Sequence, residues 1–254
     1  MPHTVLLVGG TGRTGVRVLE QLLRRNVAVR AIVRTTARVP PSLRAHPALS
    51  LVEGEILALP DAALEHHVAG CDAVVSCLGH TISMRGVFGP PHDLVTRAVA
   101  RLCDAVRAAR PERPVRFVLL SSVSVDHPGG VDTRRAWTER ALLRVLLALV
   151  PPTRDNQRAA ETLYATGPAD PCVQWVVVRP DSLLAGDAGE YAPAEELRIP
   201  LFRPASTRMA NVAHFMSDLV TDPATWAAWR GKLPVIVDVP VPAAAAAVPA
   251  RRAG

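Results

Sequence analysis

The feature that most constrains this chain is Thr4-Val5-Leu6-Leu7-Val8-Gly9-Gly10-Thr11-Gly12-Arg13-Thr14-Gly15, an apolar run that ends in glycines three apart. Val5 to Val8 has the unbroken apolar character of a central parallel strand. Amphipathic sequence from Val16 to Arg25 predicts a helix behind the turn. Glycine permits the tight turn and lets backbone N–H groups approach a pyrophosphate, while the new helix offers its positive N-terminal end. A glycine triplet alone is a weak signal. Between a strand and a helix, with more βα pattern behind it, it points to a dinucleotide. The expected contacts come from Gly9, Thr11, Gly12, Arg13, Thr14 and Gly15.

The rest of the chain repeats the alternation. Val27 to Val33 reads as a second strand, Leu49 to Val52 as a third, Pro60 to Ala69 as a helix and Asp72 to Cys77 as a fourth strand. Leu94, Val95, Val99, Leu102 and Val106 recur at helical spacing and place a helix from about His92 to Arg110. Val115 to Leu120 and Gln174 to Val178 read as the fifth and sixth strands, and Leu233 to Val237 as a seventh. Strands separated by helices predict a Rossmann-like α/β fold, a doubly wound parallel sheet in one domain over residues 1–239. Its ligands lie beyond the carboxyl ends of the strands. Two segments, 127–153 and 184–207, read as substrate-side insertions. The first carries an unusually apolar helix, Trp137 to Val150, expected to cover a pocket or to meet a second copy or a regulatory partner. The Pro/Ala-rich end, 240–254, reads as a disordered tail.

Composition excludes several classes. The longest apolar runs, such as Val145 to Val150, are too short to span a bilayer, and no secretory leader pattern precedes the first strand, so a cytoplasmic protein is expected. Cys71, Cys77, Cys103 and Cys172 form no CxxC pair and read as free thiols; His66-His67 has no third ligand nearby, so no metal is expected. The net charge of +6 is almost wholly arginine, with Lys232 the single lysine. The arginines are scattered and aromatic residues make up 4%, which does not describe a nucleic-acid surface.

The end of the second strand usually carries an acid where ribose hydroxyls are bound. Here it carries Arg34, with Arg38 just beyond and Arg13 in the glycine turn. A guanidinium there pairs with a 2′-phosphate, so NADP(H) is expected over NAD(H). Glu55, after the third strand, is placed to reach the adenine region or to be a solvated loop acid. Cys77, Leu78 and Gly79 follow the fourth strand, where Gly79 lets the chain pass close to the cofactor. His80 is either a proton donor or a surface histidine. Ser121 and Ser122 close the fifth strand at the ligand edge, to hydrogen-bond a substrate carbonyl or merely to cap the strand.

Together these segments resemble the atypical short-chain dehydrogenase/reductase family, in its NmrA-like and flavin-reductase or biliverdin-reductase-B-like branch. The resemblance rests on Gly9 to Gly15, Val33-Arg34, Glu53-Gly54-Glu55, Asp72 to Gly79, Leu119 to Ser124, Val177 to Ser182 and Arg208 to Ala213, and covers roughly residues 4–238. It implies that the Arg179-Pro180 region lies by the nicotinamide, with backbone contacts from Pro180 and Asp181. Typical members use Tyr-x-x-x-Lys, the lysine lowering the pKa of a proton-donating tyrosine. Here Glu161 registers that motif onto Thr153 and Gln157, and neither can do that work; Tyr164 and Tyr191 are the only tyrosines. What remains is Arg154-Asp155-Asn156-Gln157-Arg158 at a helix start, where Asp155 or Asn156 caps the helix or faces the nicotinamide. In the resembling branch hydride passes with little help from a protein acid and water supplies the proton. This implies a reductase of a conjugated or aromatic small molecule (a quinone, enone, flavin or biosynthetic intermediate). The alternatives are an NADP(H)-sensing regulator without turnover, or a cyclase or isomerase on the same fold.

Overall fold

Every residue of β1 (Thr4–Val8) after Thr4 is buried, which requires neighbours along both edges and cover on both faces. The computed structural model describes residues 4–80, 89–130, 149–167, 169–196 and 206–239, with isolated positions 138 and 142. β1 pairs in parallel with β2 (Ala28–Val33) on one side and β4 (Ala73–Ser76) on the other. β3 (Leu49–Glu53) adds outside β2, while β5 (Val115–Leu120) and β6 (Val173–Pro180) extend the β4 side, all parallel. β10 (Val235–Asp238) joins β6 in parallel, and β8 (Tyr191–Ala194) closes that edge antiparallel to β10. The order is β3-β2-β1-β4-β5-β6-β10-β8; β7 (Ser182–Leu184) and β9 (Ser206–Arg208) form a separate parallel pair. The chain reverses its winding between β1 and β4, so the crevice for a ligand opens beyond the carboxyl ends of those two strands.

Strand alternation divides the core in two. Leu6, Val8, Val74, Phe117, Leu119 and Val177 pack on one face with α3 (Asp61–Val68), α4 (Leu94–Ala108) and α5 (Pro151–Thr166). Val5, Leu7, Val75, Val118 and Val176 pack on the other with α1 (Gly15–Arg24), α6 (Met209–Thr221) and α7 (Pro223–Trp229). A short helix α2 (Pro41–Arg44) lies between β2 and β3. In α1 the buried residues Val18, Leu19, Leu22 and Leu23 form one stripe, and its other face is charged. Burying each such aliphatic side chain contributes about 1.5–3 kcal/mol of transfer free energy.

The seven expected parallel strands are present, and the structure corrects two other expectations. The segment 184–207 is not simply loop: it contains β8 and leads into β9. β8 escapes notice because it is four residues long with Pro193 inside it, a residue a sheet tolerates at its edge. The helix bearing Asp155 starts earlier than expected, with Pro151-Pro152 in its first turn, where missing N–H groups cost nothing. The expected apolar helix Trp137–Val150 lies largely outside the described residues, and the tail 240–254 wholly so. No helix among the described residues is long and apolar enough to cross a membrane.

Because α5 begins at Pro151, Asp155 sits inside it and caps another helix instead. Its carboxylate, buried at 1% exposure, accepts from the Val95 amide at 2.8 Å and from the Thr96 amide and hydroxyl at 2.9 and 2.6 Å. These are the first-turn donors of α4, which has no side-chain cap of its own from Asp93. Burial alone would raise the Asp155 pKa, but bonds from His80, Thr96 and Val95 bring it below the usual carboxylate value. A depressed folded-state pKa gives stability that is present above the unfolded value and is lost as pH falls through the folded one. Asp155→Asn should therefore be less stable than wild type at neutral pH, with the gap closing in urea titrations carried below about pH 4.

A second buried charge ties the sheet to its loops. Arg179 in β6 is 0% exposed, and its guanidinium donates to the carbonyls of Leu233 at 2.8 Å, Val125 at 3.1 Å and Glu195 at 3.4 Å. Arg179→Met keeps the bulk but leaves those acceptors without donors. The variant should lose about 3 kcal/mol, roughly 6–12 °C in Tm by thermal melting.

Candidate active site

The glycine turn is held by the backbone around it. Gly9 has φ +76°, and a Cβ there would stand 2.5 Å from the Cys77 carbonyl; a Cβ on Gly15 would collide with the Gly9 carbonyl oxygen. Those two glycines are required by the packing of β1, α1 and the exit of β4. Gly12 is different: it is exposed, and a Cβ there would meet the Gly9 oxygen only at 3.3 Å. Around Gly79, beyond β4, no described residue lies within 4 Å of an added Cβ. The bareness of Gly12 and Gly79 leaves the crevice between them open.

Backbone donors are available there. Gly12 N–H closes the turn onto Gly9 at 3.0 Å, and Val16 N–H bonds Gly12 at 2.9 Å. The amides of Thr11, Arg13, Thr14 and Gly15 donate to nothing among the described residues, and the first turn of α1 carries no acid. Unbonded amides at the positive end of a ten-residue helix fit a pyrophosphate. Thr14 is buried at 5% and its side chain leaves those amides uncapped.

Beside the turn, Arg13, Arg34 and Arg38 are exposed and make no side-chain hydrogen bond or ion pair among the described residues. Arg34 directly follows β2, and Arg13 follows β1, its parallel neighbour. The acid engaged here is Glu53, whose carboxylate accepts from the Thr36 amide at 3.0 Å, whereas Glu55 is exposed and contributes only its carbonyl to the next turn. Cys77 is buried, its thiol pushed up to about 12 by burial, and Leu78 packs on the core.

The strand ends on the α4/α5 side carry the remaining candidates. Ser121 Oγ is buried and has no hydrogen-bond partner among the described residues, while Ser122 Oγ is engaged with the amide and hydroxyl of Ser124, both at 3.2 Å. The structure thus separates two serines that the sequence left equivalent. Pro180 ends β6, its carbonyl accepting from Val123 N–H at 3.1 Å; the Asp181 carboxylate accepts from the Ser182 amide at 2.6 Å. His80 is no surface residue: its side chain is 7% exposed and its Nε2 lies 2.8 Å from Asp155 Oδ2. The expectation that Asp155 caps its own helix is overturned by the bonds it makes to α4. Asn156 is half-buried and unbonded among the described residues.

Nothing in the local sequence reveals the Asp155 cap, because the donors lie 59 and 60 residues away. Gln157, at the expected lysine position, exchanges two hydrogen bonds with the backbone of Asp126 and a third with Glu161, so it latches the loop after β5. The tyrosines lie elsewhere. Tyr164 is near the far end of α5, 39% exposed and edge-on to His127. Tyr191 is in the outermost strand, its hydroxyl 2.9 Å from His214 Nδ1 and 3.2 Å from Asp218, and burial with the Asp218 charge raises its pKa. A cleft of about 660 Å³ between α1 and Asp187 opens on the α1/α6 side, away from His80 and Ser121. Among the described residues no group of three or more His, Cys, Asp or Glu side chains could hold a metal.

Comparison with known proteins agrees with this layout. Residues 9–223 match the family described as NAD(P)H-binding. An uncharacterized chloroplastic protein of Arabidopsis thaliana is 33% identical over 128 residues, 48% of this chain; the match spans 42% of that relative, so less than half its length is represented. Among solved structures, a short-chain dehydrogenase/reductase of Veillonella parvula in complex with NADP superposes with a TM-score of 0.67 at 14% identity, over 94% of this chain and 95% of that one. ChuY of Escherichia coli O157:H7, an anaerobillin reductase, superposes with a TM-score of 0.65 at 17% identity, over 95% of this chain and all of that one. At those identities the likeness is one of fold. The family match over most of the chain and the open amide cradle lead to one conclusion: the chain belongs to the NAD(P)H-binding family, with the Rossmann-like fold of the atypical short-chain dehydrogenases/reductases.

Proposed function

We propose that the chain is an NADPH-dependent reductase of a conjugated or aromatic small molecule such as a quinone, enone or flavin. The observation that carries the reading is Ser121 Oγ, a buried hydroxyl without a partner among the described residues, at the carboxyl end of β5, the strand beside β4. A buried hydroxyl left unsatisfied is costly unless a ligand completes it. The amides of Thr11, Arg13, Thr14 and Gly15 hold the pyrophosphate, and Arg34 with Arg13 pairs with the 2′-phosphate. NADPH, when bound, supplies the hydride. Ser121 orients an acceptor oxygen. The absence of the Tyr–Lys pair, whose positions are Thr153 and Gln157 here, favours an acceptor already activated by conjugation over a simple ketone. The anaerobillin reductase among the structural neighbours acts, by its name, on a substrate of its own; its fold is compatible with this class.

The test is NADPH consumption, followed by absorbance, against a panel of quinones, enones, flavins and linear tetrapyrroles. Consumption dependent on one of these classes is expected. Tight NADPH binding with no acceptor reduced would overturn the reductase reading and favour an NADP(H)-sensing regulator, which the missing Tyr–Lys pair also accommodates.

Cofactor choice should follow Arg34. Arg34→Asp sets an anion beside the 2′-phosphate, so affinity for NADPH relative to NADH should fall at least tenfold, about 1.4 kcal/mol. Fluorescence titration of both cofactors measures it, and an unchanged preference removes Arg34 from the site.

Within the acceptor pocket, Ser121→Ala should lower kcat/KM by about 3–10-fold, the worth of one orienting hydrogen bond. Tyr164→Phe should leave turnover within a few fold, whereas loss of a general acid costs ~10²–10⁴-fold. Steady-state kinetics on the best acceptor separate the two outcomes.

A further inference from the structure

A buried imidazole is tied to the helix that lacks the usual tyrosine. His80 follows Gly79 at the carboxyl end of β4, one strand from the glycine turn. Its Nε2 faces Asp155 Oδ2 at 2.8 Å. That carboxylate is already fixed by three donors from Val95 and Thr96, so it remains an anion and acts as the acceptor. An anionic acceptor at Nε2 makes Nε2 the protonated nitrogen of the neutral ring and leaves Nδ1 as the working position. Nδ1 makes no hydrogen bond or ion pair among the described residues.

Two other polar atoms lie unsatisfied on the same side of the sheet. Ser76 Oγ, at the end of β4, is buried with no partner among the described residues, as is Ser121 Oγ. Side chains alternate along a strand. Val74 and Leu119 belong to the core shared with α4 and α5, so Ser76 and Ser121 project to that face, the one from which Asp155 reaches His80. Ser76 is in register with Leu119, two residues before Ser121. Hydroxyls unsatisfied among the described residues and a held imidazole, all at the carboxyl end of one sheet face, describe a place for a polar ligand atom.

We propose that His80, held by Asp155, is the proton donor of the reaction in place of the absent tyrosine; this rests on the reductase reading above. As the acceptor's double bond takes a hydride from NADPH, its far atom gains an electron pair. The Nδ1–H bond of the His80 imidazolium breaks toward that pair. The acceptor is reduced by two electrons, NADPH is oxidised to NADP⁺, and His80 is left neutral with its Nε2–H on Asp155. Water then returns a proton to Nδ1. Asp155 is a positioning residue: it fixes the ring and its tautomer without touching substrate. The other charged groups on the packed elements are few. Arg154 beside Asp155 is exposed, Asp93 and Arg97 at the start of α4 face each other at 3.8 Å, and Cys77 is held neutral by burial.

The first measurement needs neither cofactor nor acceptor. Imidazole ¹⁵N NMR of the whole chain should show neutral His80 as the Nε2–H tautomer, titrating at Nδ1. An Nδ1–H tautomer, or a ring that does not titrate, overturns the proposal. The second uses His80→Gln, whose side-chain amide can still donate to Asp155 but has no transferable proton. Calorimetry should give it NADPH affinity within about threefold of wild type, while kcat falls ~10²–10⁴-fold. The decline of wild-type kcat toward high pH should vanish in the variant. Turnover within a few fold of wild type with an unchanged pH profile sinks the proton-donor role and leaves the reductase reading standing. Wild-type protein that binds NADPH but reduces no acceptor sinks both.

Discussion

The backbone of Gly9 lies against that of Cys77, and the carboxyl edge of the sheet is arranged around that approach. A side chain at position 9 would push the exits of β1 and β4 apart, and one at position 15 would lift α1 off the turn. With both absent, the start of α1, the turn amides and the Leu78–His80 segment converge on the point where the sheet reverses its winding. The crevice is therefore a product of backbone packing before any ligand is considered. Arg13 and Arg34 follow β1 and β2, and His80 and Ser121 follow β4 and β5, so all four belong to the same carboxyl edge of the sheet as this contact.

Much of this was legible in the chain itself. Val5 to Val8 is apolar without a break because β1 is covered on both faces, and the glycine spacing encodes a turn whose geometry depends on local sterics. That these strands run parallel follows from their alternation with helices, whereas their order across the sheet does not. What the sequence concealed are interactions between distant positions. Asp155 looks like a local cap because it follows a proline pair, yet its partners are at the start of α4, and no periodicity records that meeting. Ser121 and Ser122 are adjacent and chemically identical; only the turn that engages Ser122 with Ser124 tells them apart. β8 is hidden for a different reason, since four residues with a central proline carry no strand signal.

The missing Tyr–Lys pair has a structural counterpart. Gln157 clasps the backbone of Asp126, and Arg179 grips the carbonyl of Val125, so the stretch leaving β5 is anchored from α5 and from β6 within two adjacent residues. A lysine at 157 would offer donors alone and could not accept the Asp126 amide as the glutamine does. The residue that displaced the usual chemistry thus fastens, with Arg179, the loop that begins with Ser121, at bonds made four and five residues downstream, while Ser121 itself is held to β6 by its amide on the Val178 carbonyl at 2.8 Å.

The cysteines carry one more consequence. Burial pushes the thiols of Cys71, Cys77 and Cys103 up to about 11, 12 and 12, which leaves almost no thiolate at neutral pH. Cys77 lies at the very crossing that Gly9 makes possible. Its side chain packs with the core beneath α1 and α6, so its sulfur becomes reactive only when that packing opens, and the rate at which it meets an electrophile times the opening of the core under the glycine turn.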